Sequence, residues 1–335
     1  VKAHGGEIQA AGKLNVNYSG TNIVTAEWIE SINVSHGTNE NAELNIQGDE
    51  GGTLSVTSTE DAILSTGNIN IDGAGSVNAT STGFDAINAG GDLAIKGSGN
   101  VNATGASDGI RANGNITIDD SGAVTARATM DKGIGTDKNL TIKGGSQVKA
   151  SSEKDAAVEA KGSLAATNAS LNVNGVEYGV YGYKGITLDH ATVTVRTSEG
   201  GRQALALFTD GDDIVIKNGS IVDALAEGEY SAAISSRNHQ FNEAGGHIYI
   251  SDSVVKAIAR YVESGGDGPD HYSGGQDGEI IPEPRGLNIG IFAQTYEGIT
   301  PATISIVRSK VTAEGDTAAI FALAISEDGK AIGTI

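Results

Sequence analysis

Between residues 61 and 158 the apolar positions fall in short alternating runs, and the runs recur in a fixed order. The first pass reads Asp61-Ala-Ile63, Gly67-Asn-Ile-Asn-Ile71 and Ser76-Val-Asn-Ala79. The second reads Asp85-Ala-Ile87, Gly91-Asp-Leu-Ala-Ile95 and Asn100-Val-Asn-Ala103. Asp108-Gly-Ile110 and Asp131-Lys-Gly-Ile134 open the third and fourth. The anchoring residues Ile63, Ile87, Ile110, Ile134 and Val158 step by 24, 23, 24 and 24. A constant period in the twenties is the mark of a solenoid.

Alternation over three to five residues, bounded by Gly, Asn, Asp or Ser, predicts strands with one buried face. No apolar stripe of helical period appears, and the period is too short for a helix plus a strand with turns. Three strands per coil and one coil per 23–24 residues predict an all-β, right-handed parallel β-helix. Inward residues then stack as ladders. Ile71, Ile95, Ile118 and Ile142 belong on one wall, Val77, Val101, Val124 and Val148 on a second, and Ile63, Ile87, Ile110 and Ile134 on the third. Ala79, Ala103, Ala126 and Ala150 suit the places where a thin interior narrows. The leucine-rich-repeat signature and the nine-residue calcium repeat are both absent.

Outside the regular stretch the pattern loosens but continues. Residues 1–60 hold less regular coils, 159–262 more variable ones, and 287–325 resume the rhythm. Roughly a dozen coils make one domain, 1–335, a rod about 55–60 Å long at the strand spacing. Residues 263–286 break the rhythm and read as a loop insertion between coils; Pro269, Pro282 and Pro284, three of the four prolines, lie in it. Such a loop in a compact repeat is functional or disordered.

Composition narrows the partners. The net charge of −20 disfavours nucleic acid and anionic membranes. No run is apolar enough to insert in a membrane and no signal peptide is present. The chain opens on Val1, which suggests that a leader or anchor preceded it. The absence of Cys excludes disulfides, thiolate metal sites and a Cys nucleophile. The six histidines lack metal spacing, and no phosphate loop or nucleophile elbow occurs.

Three groups carry candidate chemistry. Asp61, Asp85, Asp108, Asp131, Asp155 and Glu177 are spaced 24, 23, 23, 24 and 22, so an even register stacks them on one edge. Neighbours about 5 Å apart repel by about 1 kcal/mol in water and about 3 at a surface-like dielectric. Either a cation such as Ca²⁺, which takes oxygen ligands, relieves this, or each Asp caps its own turn. The turn Asp210-Gly-Asp212-Asp213 offers a second acidic cluster, read either as calcium ligands or as a solvated turn. Aromatic residues form the third group: of nine Tyr, five Phe and one Trp, only Tyr18, Trp28 and Phe84 precede residue 178. Tyr181, Tyr183 and Tyr272 are candidate platforms for sugar rings, or else covers for a wider coil. At the turn position Asn68, Asp92, Asn115 and Asn139, the side chains can bond along the coil axis as a structural ladder.

The phrase DAINAGGDLAIKGSGNVNATGASDGIRANGNITI, residues 85–118, resembles the repeats of a bacterial family of right-handed β-helical, calcium-associated carbohydrate-binding proteins of the cell surface. The resemblance covers residues 60–200 best. It implies binding to cellulose or pectin-like glycans, with calcium held by Asp61, Asp85, Asp108, Asp131 and Asp155. This chain has only a reduced form of the family's Asp-Asp-Gly-Ile phrase, Ser107-Asp-Gly-Ile110. Residues and resemblance together predict a non-catalytic, calcium-assisted polysaccharide binder, secreted or held at a bacterial surface by an anchor outside this chain. Two alternatives stand beside it. One is a polysaccharide lyase or hydrolase on the same fold, with Lys132 or Arg111 as a lyase base. The other is an adhesin stalk with a protein partner.

Overall fold

Three in-register ladders of parallel strands build the molecule. A computed structural model of the chain describes residues 2–4, 8–27, 29–35, 42–197, 203–238, 246–262, 287–296, 302–325 and 331–332. Its strands form three sheets of 12, 13 and 11 strands, here walls A, B and C, and every third strand along the chain returns to the same wall. The chain thus winds A to B to C eleven times before the last strands. Every neighbouring pair is parallel except Ala331–Ile332, which turns back on Ala318–Ile325. This is a three-sided parallel β-solenoid, as the period predicts.

The expected ladders are present residue for residue. On wall B, Ile63 pairs with Ile87, Ile87 with Ile110 and Ile110 with Ile134. On wall C, Ile71, Ile95, Ile118 and Ile142 pair in turn. On wall A, Val77, Val101, Val124 and Val148 do the same, and Ala79, Ala103, Ala126 and Ala150 follow two residues later. All are buried and belong to one continuous core. The core is a stack of identical layers, so each coil buries its apolar face only against its neighbours.

Turns are fixed by side chains that repeat with the coils. Asn68 Oδ1 accepts the Asp92 N–H at 2.8 Å, Asp92 Oδ1 the Asn115 N–H at 2.7 Å, and Asn139 Oδ1 the Ser163 N–H at 2.9 Å. The Asn139 amide also donates to Asn115 Oδ1 at 3.1 Å, which completes the structural ladder expected there. At the turn from wall C to wall A each coil places a residue in the left-handed region. Gly97 is followed by Asp120, Gly144, Asn168, His190, Asn218, Asp252 and Arg308, the non-glycine φ values running from 46 to 57°. Glycine, Asn and Asp suit this conformation. Arg308 does not, and its guanidinium forms a two-pronged pair with Asp252 one coil below, at 2.6 and 2.7 Å.

From the eighth coil onward wall B widens. Its strands grow from Val158–Ala160 to Tyr178–Gly182, then to Gln203–Asp210, Tyr230–Asn238 and Asn288–Tyr296. Residues 204–209 are buried consecutively, so both faces of this wall are covered there. The outward side carries a second apolar cluster of Leu205, Phe208, Ala232, Ile289 and Phe292. The insertion 263–286 and Trp28 lie outside the described residues.

Candidate functional site

The outer face of wall B gathers the unusual chemistry of the chain. Its outward row runs in register through Asn88, Arg111, Gly135, Glu159, Tyr181 and Phe208. A charged half thus passes directly into an aromatic half. The turn carboxylates line one edge of the charged half.

These carboxylates do not form one even ladder. Asp61, Asp85 and Asp108 each lie two residues before the paired isoleucines Ile63, Ile87 and Ile110. Asp131 and Asp155 lie three residues before Ile134 and Val158, which pair with each other. The residue in register with Asp108 is therefore Lys132. The six-residue stack expected from spacing is two shorter flights, with a cation at the junction.

In the first flight each carboxylate caps the next coil. Asp61 Oδ1 accepts the Asp85 N–H at 2.9 Å, Asp85 Oδ1 the Asp108 N–H at 2.8 Å, and Asp108 Oδ1 the Lys132 N–H at 2.7 Å. Asp61 Oδ2 also accepts from the Asn88 amide at 3.0 Å. Asp108 is only 3% exposed. Burial, opposed in part by the backbone N–H bond, pushes the Asp61 carboxyl up to about 6. Burial and then the charges of Asp85 and Asp131 push Asp108 up to about 7. Asp85 is also raised by burial. Carboxylates in a low-dielectric stack hold protons as a substitute for counter-ions.

In the second flight Lys132 supplies the counter-charge. Its Nζ donates to Asp131 Oδ1 and lies 3.2 Å from Asp155 Oδ2 and 3.7 Å from Glu159 Oε2. Burial alone would lower its pKa; the hydrogen bond to Asp131 and the charges of Glu159, Asp155 and Asp131 more than reverse this and hold it above the ordinary lysine range. Burial likewise favours a neutral Asp131, but the Lys132 hydrogen bond and charge bring it below the ordinary range. Gly135 makes room for this arrangement: a Cβ there would lie 3.2 Å from Lys132 Cδ and 3.4 Å from Asp108 Oδ2. Across the wall, Arg111 and Lys161 both reach Asp137 Oδ1 at 2.8 Å.

The aromatic half is a stack of rings. Tyr181 lies 5.1 Å from Tyr178, 5.1 Å from Phe208 and 6.1 Å from Tyr183, centroid to centroid. Arg237 sits over Phe208 and Phe292 at 5.7 and 5.4 Å, continuing the row. Phe208 is buried, whereas Tyr178, Tyr181 and Tyr183 are half-buried and form the accessible lip. Tyr181 points outward as its alternation with Val180 predicts, although its neighbours cover much of it. Burial and the nearby Asp210 hold its phenol above the ordinary range, so it stays a neutral donor. Tyr272 lies outside the described residues.

The Asp210–Asp213 turn stands at the end of the coil-nine strand of wall B, and its carboxylates separate. Asp210 is registered against Arg237. Asp212 Oδ1 accepts the Asp213 N–H at 2.8 Å, and Asp213 Oδ1 accepts the His247 N–H at 3.1 Å. Among the described residues no three Asp, Glu, His or Cys side chains converge as a metal-holding group.

Spacing alone missed the central place of Lys132, Glu159 and Asp137, and missed Phe208 as a partner of Tyr181. The signal for Lys132 was present: Asp131-Lys-Gly-Ile134 carries one residue more than Asp108-Gly-Ile110. Compared with protein-family models, curated proteins and solved structures, the chain matches none.

Proposed function

We propose that this β-solenoid is a non-catalytic polysaccharide-binding protein of the cell exterior, and that Tyr178, Tyr181 and Tyr183 on wall B form its sugar-stacking lip. The observation that carries the reading is the ring stack next to Glu159 and Asp210, in a chain whose aromatic content is 4%. Ring faces pack against the C–H faces of sugars, and adjacent carboxylates accept bonds from sugar hydroxyls.

Two observations favour binding over cleavage. A lyase base must be neutral, and Lys132 is held protonated by three carboxylates while Arg111 is paired with Asp137. A hydrolase acid must reach the glycosidic oxygen, and Asp108, the carboxyl raised furthest, is buried beneath its turn and bonded to the Lys132 N–H. Calcium assistance is the arm of the proposal in which ions compete with Lys132 and bound protons for the carboxylates.

Affinity electrophoresis in gels that carry soluble glycans, with calcium and with chelator, tests the reading. Tyr183→Ala is expected to lose most of the retardation that the wild-type chain shows, with an unchanged circular dichroism spectrum. Equal retardation of Tyr181→Ala, Tyr183→Ala and wild type would remove the tyrosine lip.

A further inference from the structure

Charge is distributed unevenly around the rod. Over coils two to five, the outward residues of wall A come from Thr21–Thr25, Thr53–Ser58, Ser76–Ser81 and Val101–Gly105. None of these segments contains Asp, Glu, Lys or Arg, in a chain with 64 such residues, 22 basic and 42 acidic. In the same coils wall C and its flanking turns present Glu43, Asp72, Asp92 and Lys96, and the turn before wall B carries Asp61, Asp85 and the buried Asp108. Beyond coil five, the first charge on wall A is Arg127, already paired with Glu153.

The uncharged face is also regular. Its strands pair one-to-one, without a bulge, from Thr21 to Thr104. Thr25, Thr57, Thr80 and Thr104 make one continuous row. Ile23, Ser55, Asn78 and Asn102 make the row beside it, polar from Ser55 onward, and the Asn102 amide donates to Asn78 Oδ1 at 2.8 Å. The rows give a grid of about 4.8 Å across strands and roughly 6.6 Å along them. Threonine is stiff at χ1, so this grid loses little side-chain entropy when something binds. Hydroxyls and amides both donate and accept.

We infer that this face of wall A is a second docking surface, and that its occupant is an uncharged, extended, hydroxyl-bearing polysaccharide. The inference rests on the polysaccharide reading above and adds a separate face with its own selectivity. A polyanion gains no cation here, and nucleic acid is excluded for the same reason. A protein partner would want aromatic, Met or Arg anchors, and the face has none. A neutral glycan finds donors and acceptors in rows that run along the rod, and its binding depends on neither calcium nor salt.

The test compares depletion of the chain onto microcrystalline cellulose and onto pectate gel. Thr57→Val/Thr80→Val/Thr104→Val keeps the β-branched shape and removes only hydroxyls. Thr57→Lys/Thr80→Lys/Thr104→Lys adds charge, and circular dichroism and melting check that each variant folds. Losing hydrogen bonds of about 1 kcal/mol each predicts at least about a tenfold loss of cellulose affinity in the Val variant, with pectate binding unchanged. Cellulose binding equal to wild type in both variants overturns the wall A surface. If Tyr183→Ala then abolishes binding, the tyrosine lip alone survives. Failure of the wild-type chain to bind either glycan overturns both readings. A self-association lost in the Lys variant would make the face an interface between copies and would also overturn the inference.

Discussion

At the residue scale the acidic edge of wall B is the most sensitive part of the molecule. Asp61 and Asp108 hold their protons to about 6 and about 7, against an ordinary value of 3.8. The unfolded chain releases these protons near that ordinary value, so between it and neutrality the folded state binds more protons. Stability therefore falls as pH rises from about 4 to about 7 and levels off above. Thermal melts at pH 5 and pH 8 are expected to show the higher midpoint at pH 5. Asp108→Asn keeps an oxygen for the Lys132 N–H and removes the charge. Its expected effect is a higher midpoint at pH 8 and a flatter pH profile. A midpoint that rises with pH, with the same slope in Asp108→Asn, would contradict the buried-ladder account. The left-handed turn positions give a second residue-scale prediction. Asp120, at φ 50°, is expected to tolerate glycine, whereas Asp120→Val would destabilise the rod by about 1–3 kcal/mol in denaturant titrations.

At the scale of the element, the coil is the unit of both folding and reading. Ile110 is fully buried between Ile87 and Ile134, and Ile110→Ala is expected to cost about 2–5 kcal/mol. Excising residues 87–109 joins Ala86 to Ile110 and removes one whole coil. Since the cut joins equivalent positions, the shortened chain is expected to fold with the same circular dichroism spectrum and a lower stability. An unfolded product would show that the coils are not interchangeable. The wall ladders were legible because strand alternation and the 23–24-residue period act on the same residues, so Ile63, Ile87, Ile110 and Ile134 could be aligned by counting. The acidic edge was only partly legible. Counting from Asp to Asp gave an even stack, but hydrogen bonds register the isoleucines, and the extra residue in Asp131-Lys-Gly-Ile134 moves Lys132 into the carboxylate row. A wider coil was legible only as the alternative reading of the later aromatic residues; its place on wall B was not, because Ala204-Leu-Ala-Leu-Phe208 is apolar on both faces and carries no alternation to orient it. Phe208 joins Tyr181 through that widening from the next coil, whereas Tyr178 lies in the same strand as Tyr181.

For the whole molecule, the three walls divide the labour. Their shared core is continuous and supplies a rigid rod. Charge lies on the turn before wall B and along wall C, aromatic rings lie on the later coils of wall B, and coils two to five of wall A carry neither. A rod with distinct long faces suits an extended polymer better than a small molecule, which would need a closed concavity. On the binding proposal the polymer leaves unchanged, with Lys132 surrounded by carboxylates that favour its charged form and Asp108 buried beneath its turn.

The most direct measurement is a pull-down of the wild-type chain on insoluble cellulose and on pectate gel, in calcium and in chelator, with the supernatant assayed for new reducing ends and unsaturated products. Retention on at least one glycan with no product formed is the result predicted. New chain ends would make the protein an enzyme, and no retention under any condition would contradict polysaccharide binding altogether.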